Sequence, residues 1–106
     1  METENVAQRV VRILKSRDVE FVFGIPGEEN IYLVDAISKQ TAVKFILTRH
    51  EQGASFMAEV YGRLLQKPAV AIATLGPGAI NLLLGTADAL TTQVPLIAIS
   101  AQAGTD

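Results

Sequence analysis

Two short runs, Ala69–Thr74 and Leu96–Ser100, are almost continuously apolar and do not alternate apolar with polar residues. A strand with one face in water alternates, so a continuous run predicts a strand that helices cover on both faces. We therefore place both strands in the middle of a sheet. Such strands are typical of parallel sheets with helical crossovers, which restricts the chain to the α/β class.

Four strands are expected to alternate with helices along the chain. Besides the two apolar runs, Val19–Phe23 and Val43–Leu47 are rich in β-branched and aromatic residues and predict strands. The first helix is expected to be capped by Thr3 and to end near Arg17. Short connections between these elements predict an open parallel sheet with helices on both faces and right-handed crossovers.

Three further helices connect the predicted strands. The second helix carries Glu28 and Glu29 in its first turn, where the helix dipole favours acidic residues. The fourth is expected to cover Ala79–Leu90 as one helix, with Pro77 in the first helical position. Periodicity predicts these inward positions in the second and third helices: Ile31, Val34 and Ile37, then Ala54, Met57, Ala58, Tyr61, Leu64 and Leu65.

Composition excludes several classes of function. The 106 residues contain no Cys and one His, which excludes disulfide frameworks, zinc fingers and thiol nucleophiles. Nine Lys and Arg against eleven Asp and Glu leave a net charge of -2, so binding to nucleic acid has no electrostatic basis. Charged residues near the N-terminus interrupt any apolar leader, and we expect a cytoplasmic protein.

The segment Ala69–Leu90 is apolar enough to resemble a membrane span, but Gly76-Pro77-Gly78 interrupts it. Proline inside a helix costs about 3 kcal/mol, so two elements are expected there and no membrane span. The chain stops soon after Ser100 without a helix to cover the last strand. We therefore expect a domain that is truncated after its fourth strand, which would explain the hydrophobic content of 49%.

The unusual residues follow the predicted strands. Gly24–Gly27 follow the first strand, Glu51 the second, Gly76–Gly78 the third and Gln102 the fourth. In open parallel sheets, ligands bind at the carboxyl ends of the strands, so these positions are the candidate site. Glycine and proline also end strands in every α/β protein, and this plainer interpretation stays open.

Glu51 has two interpretations. Thr48 and Glu51 have the Thr-x-x-Glu spacing of a capping box, in which the glutamate bonds back to the backbone of the threonine. Alternatively, a carboxyl on an apolar, glycine-rich edge favours its protonated form and can exchange a proton with a ligand. Neighbouring residues on a helix diverge, so His50 is expected to be a partly exposed residue without a hydrogen bond to Glu51.

The segment Gly76–Asn81 resembles the dinucleotide-binding fingerprint in its first and third positions only. Its sixth position is asparagine, Pro77 removes an amide donor, and Leu96–Ser100 contains no acidic residue for a ribose. A non-catalytic nucleotide-binding module is therefore a weaker alternative.

Several motifs recur in order along the chain: Val22–Gly27, Arg49–Ala54, Ala58–Arg63, Gly76–Asn81 and Ala87–Ala89. Together they resemble the N-terminal domain of the thiamine-diphosphate-dependent enzymes, and within them the acetolactate synthase large subunits. The resemblance extends over essentially the whole chain. The resemblance implies that residues 1–106 form an incomplete pyrimidine-binding domain, and that the central and diphosphate-binding domains lie outside this chain.

The resemblance also implies a catalytic residue, Glu51, whose carboxyl would give a proton to a ring nitrogen of the cofactor's aminopyrimidine. It implies no metal ligand in this chain, because Mg²⁺ and the diphosphate would be held by the absent domain. FAD in the complete enzyme stays open. The implied cofactor-binding residues are Ile25, Pro26, Gly27, Glu51, Thr74, Gly78, Asn81 and Gln102.

The implied activity is decarboxylation of pyruvate on thiamine diphosphate, followed by transfer of the two-carbon unit to a second 2-keto acid. The implied assembly is a homo-oligomer with the cofactor at the subunit interface, so this chain would be inactive alone. Glu28, Glu29 and Ile25 depart from the residues common in these synthases. Another decarboxylase, oxidase or carboligase of 2-keto acids therefore stays open.

Overall fold

A computed structural model describes residues 3–105. Four strands and five α-helices alternate along them, with one 3-10 turn at Glu28–Asn30. The strands are β1 (Phe21–Gly24), β2 (Lys44–Leu47), β3 (Ala69–Ala73) and β4 (Leu96–Ser100). The helices are α1 (Val6–Ser16), α2 (Ile31–Ser38), α3 (Glu51–Leu65), α4 (Pro77–Asn81) and α5 (Leu83–Thr92).

All strand pairs are parallel, and the order across the sheet is β2-β1-β3-β4. This confirms the predicted α/β class. The central position of β3 is also confirmed, because β3 lies between β1 and β4, and every one of its residues is buried. The central position predicted for β4 is wrong, since β4 lies at the edge of the described sheet. None of the β4 residues is buried, so its apolar run indicated neither cover on both faces nor a central position.

The two faces of β3 differ in side-chain size. Val70 and Ile72 point toward α1 and α2 and belong to one apolar core. Ala69, Ala71 and Ala73 point to the other face and pack with α3 in a second core. Because alanine is small, α3 lies close against the sheet on that side. Helices cover both faces, as the sequence predicted.

The buried face of α3 is made of small residues and one carboxylate, which corrects part of the predicted stripe. Ala54 and Ala58 are fully buried as predicted, whereas Met57, Leu64 and Leu65 are exposed. Close contact with the alanines of β3 leaves room only for small side chains. Side-chain size, more than hydrophobicity, therefore determines which residues of α3 face inward. The buried positions are Ala54, Ser55, Ala58, Glu59 and Gly62.

The first helix begins later than predicted. Asn5, and not Thr3, is its N-cap, because the Asn5 side chain accepts from the Gln8 backbone N–H at 2.8 Å. The Gln8 side chain in turn accepts from the Asn5 N–H at 2.9 Å, which completes a capping box. The helix ends at Ser16, in agreement with the predicted end near Arg17.

The helix predicted over Ala79–Leu90 is two helices. Pro77 occupies the first helical position of α4, as predicted, but α4 ends at Asn81 and α5 begins at Leu83. The residue between them, Leu82, is 3% exposed and packs into the alanine-rich core. Burial of this leucine accompanies the break, which periodicity alone did not indicate.

The second helix also differs from its prediction. Ile37 is buried as predicted, but Ile31 is 46% exposed and Ala36 is buried instead. Glu28 and Glu29 lie in the 3-10 turn that precedes α2. None of the helices within residues 3–105 combines the length and apolar character needed to cross a membrane.

Candidate active site

The parallel strands bring the loops after all four strands to one edge of the sheet. The loop that follows β1, the start of α3 after β2, the turn before α4 and the segment after β4 therefore share this edge. This confirms the predicted neighbourhood of the glycine-rich loops and Glu51. The site is built from those loops in the following order.

Glu51 is the first residue of α3, and it does not cap the helix. The N-cap is His50, whose Nδ1 accepts from the Gln52 backbone N–H at 3.0 Å. The Thr48 N–H donates to the Gly24 carbonyl at 2.9 Å, and its hydroxyl donates to the His50 carbonyl at 3.1 Å. The predicted Thr48–Glu51 capping box is therefore wrong, because both polar groups of Thr48 are engaged elsewhere.

The Glu51 carboxylate instead receives a hydrogen bond from the end of α4. Asn81 Nδ2 donates to Glu51 Oε2 at 3.0 Å. The two residues are distant in sequence. They meet because α3, which Glu51 begins, packs on the alanine face of β3, and β3 leads into α4. Glu51 is half-buried, and Asn81 is the one side chain among residues 3–105 that hydrogen-bonds its carboxylate.

One glycine lies beside this carboxylate, and a second brings the first loop against Thr74. A Cβ atom on Gly78 would lie 3.3 Å from Glu51 Oε1 and 3.2 Å from Thr74 Cγ2. A Cβ atom on Gly27 would lie 2.6 Å from Thr74 Cβ, closer than a real Cβ contact allows. Gly27 is thus needed for the contact between the first loop and Thr74, and both loops meet beside Glu51.

The loop after β1 is held by Asn30, which the sequence interpretation missed. Asn30 is buried; its Oδ1 accepts from the Gly27 N–H at 2.8 Å, and its Nδ2 donates to the Ile25 carbonyl at 3.3 Å. Asn30 is the third residue of the 3-10 turn after Gly27, and its bond back to the Gly27 N–H is of the capping-box type, a spacing that could have indicated this role. Glu29 was also missed as a site residue, although the Thr74 hydroxyl donates to its Oε2 at 2.6 Å.

The predicted site residues fall into two groups. Gly27, Glu51, Thr74, Gly78 and Asn81 lie together around the carboxylate. In contrast, Pro26 is exposed, and Ile25 is half-buried with its carbonyl bound to Asn30. Gln102 is exposed after β4, and no hydrogen bond joins it to this group within the described part of the chain.

The arrangement suits proton exchange better than metal or nucleotide binding. No group of three His, Cys, Asp or Glu side chains within residues 3–105 is placed to hold a metal ion. The turn before α4 has Gly76 in a left-handed conformation (φ 66) and Pro77, which has no N–H, at the first helical position. A helix of five residues that starts in this way offers few amides to a diphosphate.

Comparison with known proteins identifies the family. The family described as "Thiamine pyrophosphate enzyme, N-terminal TPP binding domain" matches residues 4–106. The chain belongs to this family.

Named relatives are acetolactate synthases. The chain is 45% identical over 96 residues to the chloroplastic acetolactate synthase of Arabidopsis thaliana, covering 91% of this chain and 14% of the relative. It is 44% identical over 96 residues to the isozyme 1 large subunit of Escherichia coli K12, covering 91% and 17%. The large subunit of Lactococcus lactis is 43% identical over 98 residues, covering 92% and 17%. The chain thus spans less than a fifth of the length of these relatives.

The residues present fit the pyrimidine part of thiamine diphosphate. The half-buried Glu51 carboxyl keeps Oε1 without a hydrogen-bond partner among the described residues, and backbone without side chains lies beside it at Gly78. A carboxyl can bind a ring nitrogen, and glycine backbone lets a flat ring approach.

Proposed function

We propose that residues 1–106 form the pyrimidine-binding part of an acetolactate synthase-like enzyme, with Glu51 as its proton-donating carboxyl. The observation that carries this proposal is the position of Glu51. Its carboxylate lies at the carboxyl edge of a parallel sheet, is free of the helix cap, and is held by Asn81 beside Gly78. Together with the family of the chain, this favours a role toward the cofactor.

When bound, thiamine diphosphate supplies a carbon nucleophile that attacks the keto group of a 2-keto acid such as pyruvate. Glu51 would hold a proton at Oε1 and donate it to the pyrimidine. Gly27 and Gly78 would let the ring lie against backbone, with Thr74 between them. Ile25, Pro26 and Gln102 would contribute contacts from the rim of the site. We propose that the two-carbon unit from pyruvate passes to a second 2-keto acid.

We propose further that Mg²⁺ and the diphosphate are held by a domain outside residues 1–106, with the cofactor between subunits of a homo-oligomer. Support comes from the relatives, which are much longer than this chain. Several large apolar side chains on α3 and α5 are exposed, including Leu64 and Leu90. Exposed apolar surface of this kind favours association.

The test uses the protein at its natural length with pyruvate, thiamine diphosphate and Mg²⁺. We expect saturable cofactor binding by calorimetry and formation of acetolactate from pyruvate. Release of acetaldehyde or an oxidised two-carbon product in place of acetolactate would instead identify a related decarboxylase or oxidase. Binding of an adenine dinucleotide without any binding of thiamine diphosphate would contradict the proposal.

A further inference from the structure

The geometry points to a second function at this site: we infer that Asn81 is a positioning residue that directs the Glu51 proton to Oε1. This inference rests on the proposed function, because it concerns how the same carboxyl is prepared to donate. It differs from the cofactor-binding role that the family resemblance implies for Asn81. Here Asn81 acts through Glu51, and direct contact with the cofactor is not required.

The hydrogen bond makes the two carboxyl oxygens of Glu51 inequivalent. Asn81 Nδ2 can only donate, and it donates to Oε2 at 3.0 Å. In the neutral carboxyl, the oxygen that accepts this N–H is the carbonyl oxygen, so the proton lies on Oε1. Oε1 is also the oxygen beside Gly78, 3.3 Å from the position of a Cβ there. The proton is therefore presented on the side where the glycine backbone leaves room.

Tight packing keeps the Asn81 amide in place. The next residue, Leu82, is 3% exposed and anchors the junction of α4 and α5 in the alanine-rich core. Gly85 packs directly on α3, since a Cβ there would lie 2.2 Å from Ser55 Oγ and 2.7 Å from the Ser55 carbonyl carbon. Ser55 is one helical turn after Glu51 on α3. The same helix contact thus fixes both the donor and the acceptor of the hydrogen bond.

The amide is also a neutral donor, and this matters for the chemistry. A cationic donor would stabilise the ionised carboxylate strongly and oppose protonation. An amide orients the carboxyl with less bias against the protonated form. Among residues 3–105, no Lys or Arg forms a salt bridge with Glu51.

The test is a double-mutant cycle of Asn81 and Glu51 in the natural-length protein. Its two readouts are the affinity for thiamine diphosphate with Mg²⁺, by calorimetry, and the exchange rate of the thiazolium proton in the bound cofactor, by NMR. Asn81→Ala removes the donor. Asn81→Asp keeps the shape of the side chain. Its carboxyl and that of Glu51 then share a proton, which is withdrawn from Oε1. Ile80→Ala, on an exposed neighbour in α4, is the matched control.

We expect Asn81→Ala to slow exchange of the thiazolium proton about tenfold or more, and Asn81→Asp to slow it further. The affinity for thiamine diphosphate should change less than about threefold in both variants. In the Glu51→Gln background, Asn81→Ala should change the exchange rate by less than about twofold. Without the Glu51 carboxyl, Asn81 has no proton to position, so its removal has no further effect. Ile80→Ala should leave both readouts unchanged.

Each other outcome has a definite meaning. Additive effects on exchange, or a large loss of affinity with normal exchange, would overturn the positioning role and assign Asn81 to direct binding. If Glu51→Gln slows exchange but neither Asn81 variant does, the inference fails while the proposed function stands. If the thiazolium proton exchanges at the wild-type rate in the Glu51→Gln variant, the proposed function fails as well. Thermal unfolding of each variant identifies any loss of fold.

Discussion

Glu51 and Glu59 lie about two turns apart on α3, and their carboxylates differ in burial and in the charge of their hydrogen-bond donors. Glu51 is half-buried at the helix start and accepts from the neutral amide of Asn81. Glu59 is 2% exposed and accepts from the Arg63 guanidinium, with Nη2 at 2.5 Å and Nε at 3.0 Å. This hydrogen bond also raises the pKa of Arg63.

The difference shows what each carboxylate can do. The Arg63 guanidinium donates to the Glu59 carboxylate, and the Thr92 hydroxyl on α5 lies 3.4 Å from the same oxygen, so Glu59 joins two helices. The Glu51 carboxylate accepts only from the Asn81 amide among the described residues, and its Oε1 stays available to a ligand. On one helix, then, the nature of the donor distinguishes a carboxylate that joins two helices from the carboxyl that we propose as the proton donor.

Removal of Glu59 is the largest change in stability that we expect. Glu59→Ala should lower the free energy of unfolding by about 2–4 kcal/mol, because it leaves a cavity and breaks the connection between α3 and α5. Glu59→Gln keeps the volume and should cost about half of this. Urea unfolding of the natural-length protein gives the comparison, with Glu28→Gln, an exposed position, as control.

If Glu59→Ala were as stable as the wild type, Glu59 would not join the two helices, and the contrast with Glu51 would lose its basis. If Glu59→Gln alone abolished cofactor binding while stability was kept, Glu59 would belong to the site.

Two glycines test how tightly α5 packs on α3. Gly85→Ala places a Cβ within 2.2 Å of Ser55 Oγ, and overpacking of this kind costs about 1–3 kcal/mol. Gly53→Ala, on α3 with nothing within 4 Å of the new Cβ, should instead raise stability by up to about 1 kcal/mol. Calorimetric unfolding of both variants measures whether the two substitutions change stability in opposite directions. Equal effects would show that the Gly85 contact is loose.

Glu4 provides a third, exposed carboxylate for the comparison. Hydrogen bonds from Arg12 and then Arg9 lower the pKa of Glu4 from 4.5 to about 2. Because the folded pKa is depressed, this ion pair stabilises the fold above pH 4.5, and the contribution is lost as the pH falls toward 2. Exposure and screening keep the effect small.

As the pH decreases from 5 to 2, the unfolding temperature should therefore decrease slightly less steeply for Glu4→Gln than for the wild type. Salt at about 1 M should remove this difference. A difference that persists in high salt would mean that Glu4 acts through packing and not through charge.

Local sequence patterns were sufficient to predict the class of fold and the edge at which the site lies. Continuous apolar runs placed β3 and β4 as strands, and glycines marked the loops beside them. The patterns failed where tertiary contact decides. Thr48 and Glu51 have the spacing of a capping box, yet the Thr48 N–H bonds to Gly24 on the neighbouring strand.

The inward face of α3 and the break at Leu82 share this cause. Periodicity places large apolar residues such as Met57 inside, but the alanines of β3 admit only small ones. The hydrogen bond between Asn81 and Glu51 depends on the packing of α3 against β3 and on the end of α4, which no local pattern contains. The family motifs indicated both residues without indicating that they bind each other.

The central claim is that Glu51 donates a proton and does not cap its helix. Exchange of the thiazolium proton, measured by NMR on the natural-length protein with thiamine diphosphate and Mg²⁺ bound, tests it directly. Glu51→Gln should slow this exchange about a hundredfold or more and shift the unfolding temperature little, because His50 remains the cap. Exchange at the wild-type rate in Glu51→Gln would contradict the account.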